Sequence, residues 1–205
     1  MKYCTPQEEF WAGEFGDFYI GRNNTEGLVA AKAEMFRRAL EKTHQIGSVV
    51  EFGCNIGLNL IALSQLVPQL ELKGVEINAA AAAQARVNLP GADITLGSIL
   101  DFATDRPCDL AFTCGVMIHL NPDMLPGVYA RLAAASRRYV VISEYYNPSP
   151  VAVGYRGHAD RLFKRDFAGE FIDAHPAFEL VDYGFVYRRD PRFPLDDLTW
   201  FLLEK

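Results

Sequence analysis

The sequence has no apolar run approaching the ~20 residues that cross a bilayer, so no membrane span is expected. It also lacks an excess of positive charge. The formal net charge is -6, which gives no support for nucleic-acid binding. Cysteine is scarce, with Cys4, Cys54, Cys108 and Cys114 the only four. They form no Cys-x-x-Cys pair and accompany no paired histidines, so no metal site is expected. The start, Met1-Lys2-Tyr3-Cys4-Thr5-Pro6, lacks the apolar centre of a secretory signal. The thiols are therefore read as reduced and the protein as cytoplasmic. Internal repeats, low-complexity tracts and linkers are also missing.

What is present is a soluble globular balance, 50% apolar and 22% charged. Its 205 residues suit one domain, 1–205, with a substantial core. The most informative stretch is Val49-Val50-Glu51-Phe52-Gly53-Cys54-Asn55-Ile56-Gly57-Leu58-Asn59-Leu60. Two β-branched residues lead to an acid, a glycine-bearing turn and an apolar helix, as where an open α/β sheet meets a nucleotide-type ligand. A dinucleotide fingerprint needs glycines at the first, third and sixth turn positions. Gly53, Asn55 and Leu58 occupy them, so a dinucleotide oxidoreductase is disfavoured. Glycine instead recurs at Gly57. Asn55 is expected to hold the positive φ that the turn requires.

A second short strand, Leu72–Ile77, contains Glu76, 19 residues past Gly57. That spacing suits a carboxylate on ribose hydroxyls, the alternative being a solvated acid at a strand end. Thr5-Pro6-Gln7-Glu8 is a capping box that predicts a short helix to about Ala12. A second helix is predicted from about Thr25 to Lys42, with Leu28, Met35, Ala39 and Leu40 on one side. Further strands are expected at Ser48–Phe52, Asp93–Leu96, Cys108–Cys114 and Tyr139–Glu144, with helices between most of them. This alternation predicts a parallel sheet covered on both faces. Glu179–Arg189 and Asp197–Glu204 are joined too closely for a crossover helix, so they must form an antiparallel hairpin.

The Glu-x-Gly-x-Asn-x-Gly pattern of Glu51 to Gly57 resembles motif I of class I S-adenosylmethionine (SAM) methyltransferases. The whole chain also resembles the pseudaminic acid biosynthesis-associated methylases. The segments carrying that likeness are Gln7–Asp17, Glu144–Pro150, Tyr155–His158, Leu162–Gly169 and Asp197–Leu202. The resemblance implies a Rossmann-like α/β fold, a seven-stranded mostly parallel sheet with a terminal antiparallel hairpin and an N-terminal helical lid. It implies SAM as cofactor and a small-molecule acceptor bearing a hydroxyl or amine, with a nonulosonic acid-type sugar as one candidate. The partners expected are that substrate, no nucleic acid and no membrane, and the chain is expected to be a monomer or homodimer. Related sequences in natural-product clusters imply a second reaction, closure of SAM into azetidine-2-carboxylate and methylthioadenosine. A non-catalytic SAM-binding module is the third reading.

The residues then receive roles. Glu51 belongs to motif I. Backbone amides around Gly53, Asn55 and Gly57, together with Arg22, are candidates for the methionine carboxylate, although Arg22 also reads as a surface residue. The carbonyls of Gly53 and Cys114 are candidates for the ammonium. Glu76 takes the ribose, and Ile77 and Ile99 form the adenine slot. Ser98 stands where many members of the resembled family carry an acid.

Phe10, Trp11, Phe15, Phe18 and Tyr19 crowd residues 1–24. Aromatic faces stabilise a sulfonium, so this segment reads as a lid, or as an aromatic helix face packed on the sheet. His119 is the candidate general base or a hydrogen-bonded core residue. Cys114 reads as small packing. Tyr145, Tyr146 and Asn147 are catalytic candidates at the end of the fifth strand. The segment 147–164 is expected to be an active-site loop. Its Tyr155, Arg156 and His158 would contact substrate, with Arg161, Lys164 and Arg165 adding charge for an acidic acceptor.

Overall fold

The computed structural model of the chain describes residues 3–22 and 26–205. Three helices come first, α1 (Pro6–Ala12), α2 (Glu14–Ile20) and α3 (Glu26–Ala39). The strands that follow are β1 (Ser48–Phe52), β2 (Glu71–Glu76), β3 (Asp93–Leu96), β4 (Cys108–Cys114), β5 (Ser136–Glu144), β6 (Val151–Ala152), β7 (Phe163–Lys164), β8 (Glu179–Phe185) and β9 (Thr199–Glu204). The remaining helices are α4 (Leu58–Leu66), α5 (Ala79–Asn88), α6 (Leu125–Ala135) and α7 (Phe167–Ala174).

Seven strands form one mixed sheet in the order β3-β2-β1-β4-β5-β9-β8, the Rossmann-like arrangement that the sequence resemblance implies. β1 to β5 run parallel, with Val49 opposite Leu72 on one side and Leu110 on the other. β9 enters antiparallel beside β5, pairing Leu202 with Val141, and β8 completes the terminal hairpin. Both faces of the sheet are covered. On one, Met35, Phe36, Leu60 and Leu63 meet Leu110, Phe112 and Leu202. On the other, Leu125, Leu132 and Phe171 meet Phe52, Ile142 and Leu203. β1 is buried along its whole length, which explains why it reads as an unbroken apolar run with one acid inside.

Order reversal puts the useful surface at the C-terminal ends of β1 to β4, since the chain leaves β1 toward β2 but returns to β4 on the other side. The turn after β1 is a sequence of left-handed residues, Gly53 (φ 78), Asn55 (φ 48) and Gly57 (φ 84). A Cβ on Gly53 would lie 2.6 Å from Val116, and one on Gly57 would lie 2.8 Å from Leu89. Asn55 tolerates its φ, as the sequence predicts.

α1 starts and stops where its capping box and Gly13 dictate. Thr25, the expected start of α3, and residues 1, 2, 23 and 24 of the expected lid lie outside the described residues. Three differences from expectation concern local chemistry. α2 forms without a side-chain cap, in an aromatic segment of modest helix propensity, because its partner is the N-terminus of α5. β8 ends at Phe185 and not Arg189: the Val186 amide still donates to Leu198 O, but the Arg188 amide is taken by the Asp197 side chain instead of a strand carbonyl.

The segment 147–164 is a hairpin arm rather than an irregular loop. Val151 pairs with Lys164 and Ala152 with Phe163. Its tip is closed by reciprocal bonds between Tyr155 and His158, and Arg156 (φ 50) and Gly157 (φ 87) supply the two left-handed positions of a tight turn.

Candidate active site

A cavity of about 170 Å³ opens at the strand ends, and its wall follows strand order. Ser98, Ile99 and Leu100 follow β3, Glu76 and Ile77 close β2, Gly53 to Ile56 follow β1, and Cys114 to Val116 with His119 follow β4. α1 and α2 roof it with Gln7, Glu8, Trp11, Gly16 and Tyr19.

Glu76 joins the first two strand ends. One carboxylate oxygen accepts the Asn55 amide at 2.7 Å and the other accepts the Asn78 amide at 2.7 Å. Burial raises its pKa against those stabilising amides. Asn78 caps α5 through Ala81 and uses its side-chain amide on Trp11 O and Asp17 Oδ1, which ties the roof to the sheet.

The amides expected to receive a carboxylate are already occupied. Gly53 and Cys54 donate to Val75 O, Asn55 to Glu76, Ile56 to the Asn55 side chain, and Gly57 to Cys54 O. A cation is nonetheless present. Lys32, on α3, is the one lysine or arginine on the cavity wall among the described residues. Its ammonium donates to Asn59 Oδ1 at 2.7 Å, and Asn59 in turn donates to Glu51 Oε1. Glu51 is fully buried and its Oε2 has no hydrogen-bond partner. Burial pushes its pKa up to about 8, opposed by Asn59 and Lys32. Arg22 instead lies exposed at the end of α2 and is not on the wall. Glu51 and Gly57 sit just behind the wall, Glu51 through Asn59 and Gly57 as the cap of α4.

His119 ends a short 3-10 turn, Met117–His119, whose first two amides are gathered by Glu144 while its own donates to Val116 O. That buried carboxylate accepts the Thr113 hydroxyl at 2.9 Å and the amides of Val116 and Met117 at 3.0 and 3.1 Å. Burial pushes Glu144 up to about 7. His119 Nδ1 lies 2.6 Å from Arg161 O, and its ring packs between Trp11 and Tyr155 at 4.6 and 5.0 Å. A carbonyl can only accept, so Nδ1 carries the proton and Nε2 remains an acceptor. Burial pushes the imidazole down to about 4, so it is neutral at pH 7 and a weaker base than its unperturbed pKa suggests.

Other expected residues fall less centrally. Tyr145 is half-buried with Lys164 over its ring, Tyr146 is exposed against Phe201, and Asn147 bonds within its own turn to Ser149 O. None of the three is on the cavity wall. Successive residues at a strand end point to opposite faces, so Tyr145 and Tyr146 cannot both turn inward. A tyrosine base is also disfavoured, because burial pushes Tyr19 up to about 12 and raises Tyr145 as well. Burial pushes the Cys114 thiol up to about 11, which agrees with packing and not nucleophilic attack.

The substrate candidates lie on the arm. Tyr155 packs on Phe15 and His119, His158 packs on Phe10, and Arg156 is exposed with its guanidinium 5.3 Å from the Tyr155 ring centre. Arg161 lies over Phe10, and Gln7 donates to Asp160 O at 3.1 Å. Roof and arm therefore form one continuous cover. Sequence reasoning did not single out Lys32, Asn59, Asn78 or Glu8 as site residues. Of these, only Glu8, in its capping box, and Asn78, just before an alanine-rich helix, carried a readable local signal.

Residues 49–138 match the family model described as a methyltransferase domain. No curated protein matches the chain in sequence. Solved structures share its fold. The magnesium protoporphyrin IX methyltransferase of Synechocystis PCC 6803 with bound SAM is 12% identical, with 100% of both chains covered and a TM-score of 0.72. A sugar N-methyltransferase of Streptoalloteichus is 19% identical, covering 93% of this chain and 92% of that one, with a TM-score of 0.64. An amino pentose methyltransferase of Micromonospora echinaspora, involved in calicheamicin biosynthesis, is 16% identical, with 93% and 95% covered and a TM-score of 0.61. Residues 49–138 thus match a methyltransferase domain, and the chain as a whole has the fold of a protein solved with bound SAM. Among the described residues, no helix is long and apolar enough to cross a membrane.

Proposed function

We propose that this chain methylates a hydroxyl or amine of a small molecule, of the nonulosonic acid sugar type that its sequence resemblance implies, in a cytoplasmic setting. The observation that carries this reading is the chemical order of the cavity wall. An apolar slot after β3, a carboxylate ending β2 and a glycine turn after β1 succeed one another along the strand ends, and Lys32 reaches the same wall from α3, which suits adenine, ribose, the thioether and the amino-acid end of SAM. Two sugar methyltransferases among the similar folds support the acceptor class.

The residues fit the cofactor in particular ways. Glu76 keeps both oxygens fixed by amides while each retains acceptor capacity for a ribose hydroxyl. Lys32 would take the carboxylate, since Asn59 uses only one of its three donors and the turn amides are engaged. Glu51 lies one link behind, joined to the lysine through Asn59. SAM supplies an electrophilic methyl on a sulfonium. The protein supplies aromatic faces from Trp11 and Tyr19, exclusion of water by the roof and arm, and an oriented proton acceptor at His119 Nε2. A neutral imidazole suits this place, because a protonated one would repel the sulfonium. Within the expected lid 1–24, the described residues 3–22 cover the cavity, and 147–164 is the arm that admits the acceptor, with Tyr155, Arg156 and His158 facing it.

The test is incubation of the full chain with SAM, with and without nonulosonic acids and amino sugars. S-adenosylhomocysteine forming only with an acceptor supports the proposal. Methylthioadenosine forming without an acceptor would replace it by SAM cyclisation. Binding without turnover across a broad acceptor panel would favour a SAM-binding module.

A further inference from the structure

Glu8 does more than cap α1. In a capping box the glutamate returns to the backbone at the helix start. Glu8 does so with one oxygen, Oε2, which accepts the amides of Cys4 and Thr5 at 2.7 and 3.0 Å. Its other oxygen, Oε1, accepts the hydroxyl of Ser98, on the loop after β3. Ser98 is fixed in turn, since its oxygen accepts the Leu100 amide at 3.0 Å. Glu8 is 4% exposed, and among the described residues no cation forms an ion pair with it.

Burying such a carboxylate is costly unless its lone pairs are used. Two amides fill the sites of Oε2, and Ser98 fills one of the two on Oε1. One acceptor site remains on a wall shared with Ile77, Ile99 and Leu100, beyond the Glu76 carboxylate. A flat base placed in that slot next to a ribose on Glu76 would bring its edge to this oxygen.

We propose that Glu8 accepts the exocyclic amine of the cofactor's adenine, so that the N-terminal helix itself reads the base. This rests on the reading of the cavity as the SAM site. A carboxylate only accepts, so it favours a 6-amino purine and repels a 6-oxo purine. Because the reader sits on α1, closing the roof and recognising the base are one event.

The test measures binding of S-adenosylhomocysteine and its 6-oxo counterpart, S-inosylhomocysteine, by calorimetry on the full chain. The wild type should prefer the adenosyl ligand by at least about 10-fold. Glu8→Gln preserves a capping box, because glutamine serves there too. Its carbonyl must replace Oε2 under the Cys4 and Thr5 amides, which turns its NH₂ toward the base. The preference should then vanish or invert, with an unliganded melting temperature near that of the wild type. Ser98→Ala leaves the capping box whole and should lower the preference several-fold by freeing Oε1. Unchanged discrimination in both variants, with tight S-adenosylhomocysteine binding, overturns the role of Glu8 alone. Failure of the wild type to bind either ligand overturns the cofactor reading with it.

Discussion

Asn55 donates its backbone N–H to the Glu76 carboxylate at 2.7 Å, so the glycine turn after β1 and the acid ending β2 hold each other in place. Glu76→Ala should therefore act twice. Loss of a charge-assisted acceptor for ribose should weaken SAM by roughly 10- to 150-fold, and two backbone amides lose their partner, which should lower the melting temperature. Calorimetry and thermal melts check this. An unchanged dissociation constant would reduce Glu76 to a turn-holding residue.

Lys32→Met should discriminate between ligands by their amino-acid end. S-adenosylhomocysteine carries the carboxylate that Lys32 is assigned to hold, and 5′-methylthioadenosine does not. The first should lose roughly 10- to 100-fold in affinity and the second should bind as before. Equal losses for both would mean that the lysine supports the wall through Asn59 and touches no carboxylate.

The His119 imidazole should make the fold acid-sensitive. Its folded pKa, near 4, lies below the ordinary 6.5, so the native state binds fewer protons than the unfolded chain between these values. That contribution to stability is whole above pH 6.5 and is lost as pH falls toward 4, by about 3 kcal/mol in all. Urea midpoints of wild type and His119→Gln should converge as pH drops from 7 to 4.5, because titrations of Glu51 and Glu144 are common to both. A gap that stays constant over this range would contradict the buried neutral imidazole.

The roof should respond to ligand. Trp11 stands against Tyr19 and His119 on the cavity wall, so its fluorescence should change with S-adenosylhomocysteine, whereas Trp200, buried in the sheet, should hardly respond. Cleavage after Trp11 or Phe15 should slow on binding, since lids belong to the least stable parts of a fold. Equal cleavage rates with and without ligand would leave α1 and α2 as ordinary packing.

Much of the fold was legible because its signals are local or continuous. β1, β3 and β4 fall where their apolar runs end, α1 fills its capping box, and Asn55 takes the positive φ that the motif demands. The terminal hairpin followed from connection length alone. Of the candidate site residues, those at strand ends, such as Gly53, Glu76, Ile99 and His119, fall together on the cavity wall. The site was illegible where helices bring side chains across long separations. Lys32 reaches Asn59 only through the packing of α3 on α4, and Glu8 reaches Ser98 across 90 residues of sequence. Tyr146 and Asn147 were misplaced because a strand-end motif was read as one unit, although its side chains alternate between faces. The arm was read as irregular because its two-residue strands are too short to leave a pattern.

The most direct measurement is a titration of the full chain with S-adenosylhomocysteine and, separately, with NAD. The account predicts saturable one-to-one binding of S-adenosylhomocysteine at ordinary micromolar strength, a rise in melting temperature with its concentration, and no response to NAD. A shift with NAD and none with S-adenosylhomocysteine at saturating concentration would contradict the cofactor assignment, and with it every role given to the cavity wall.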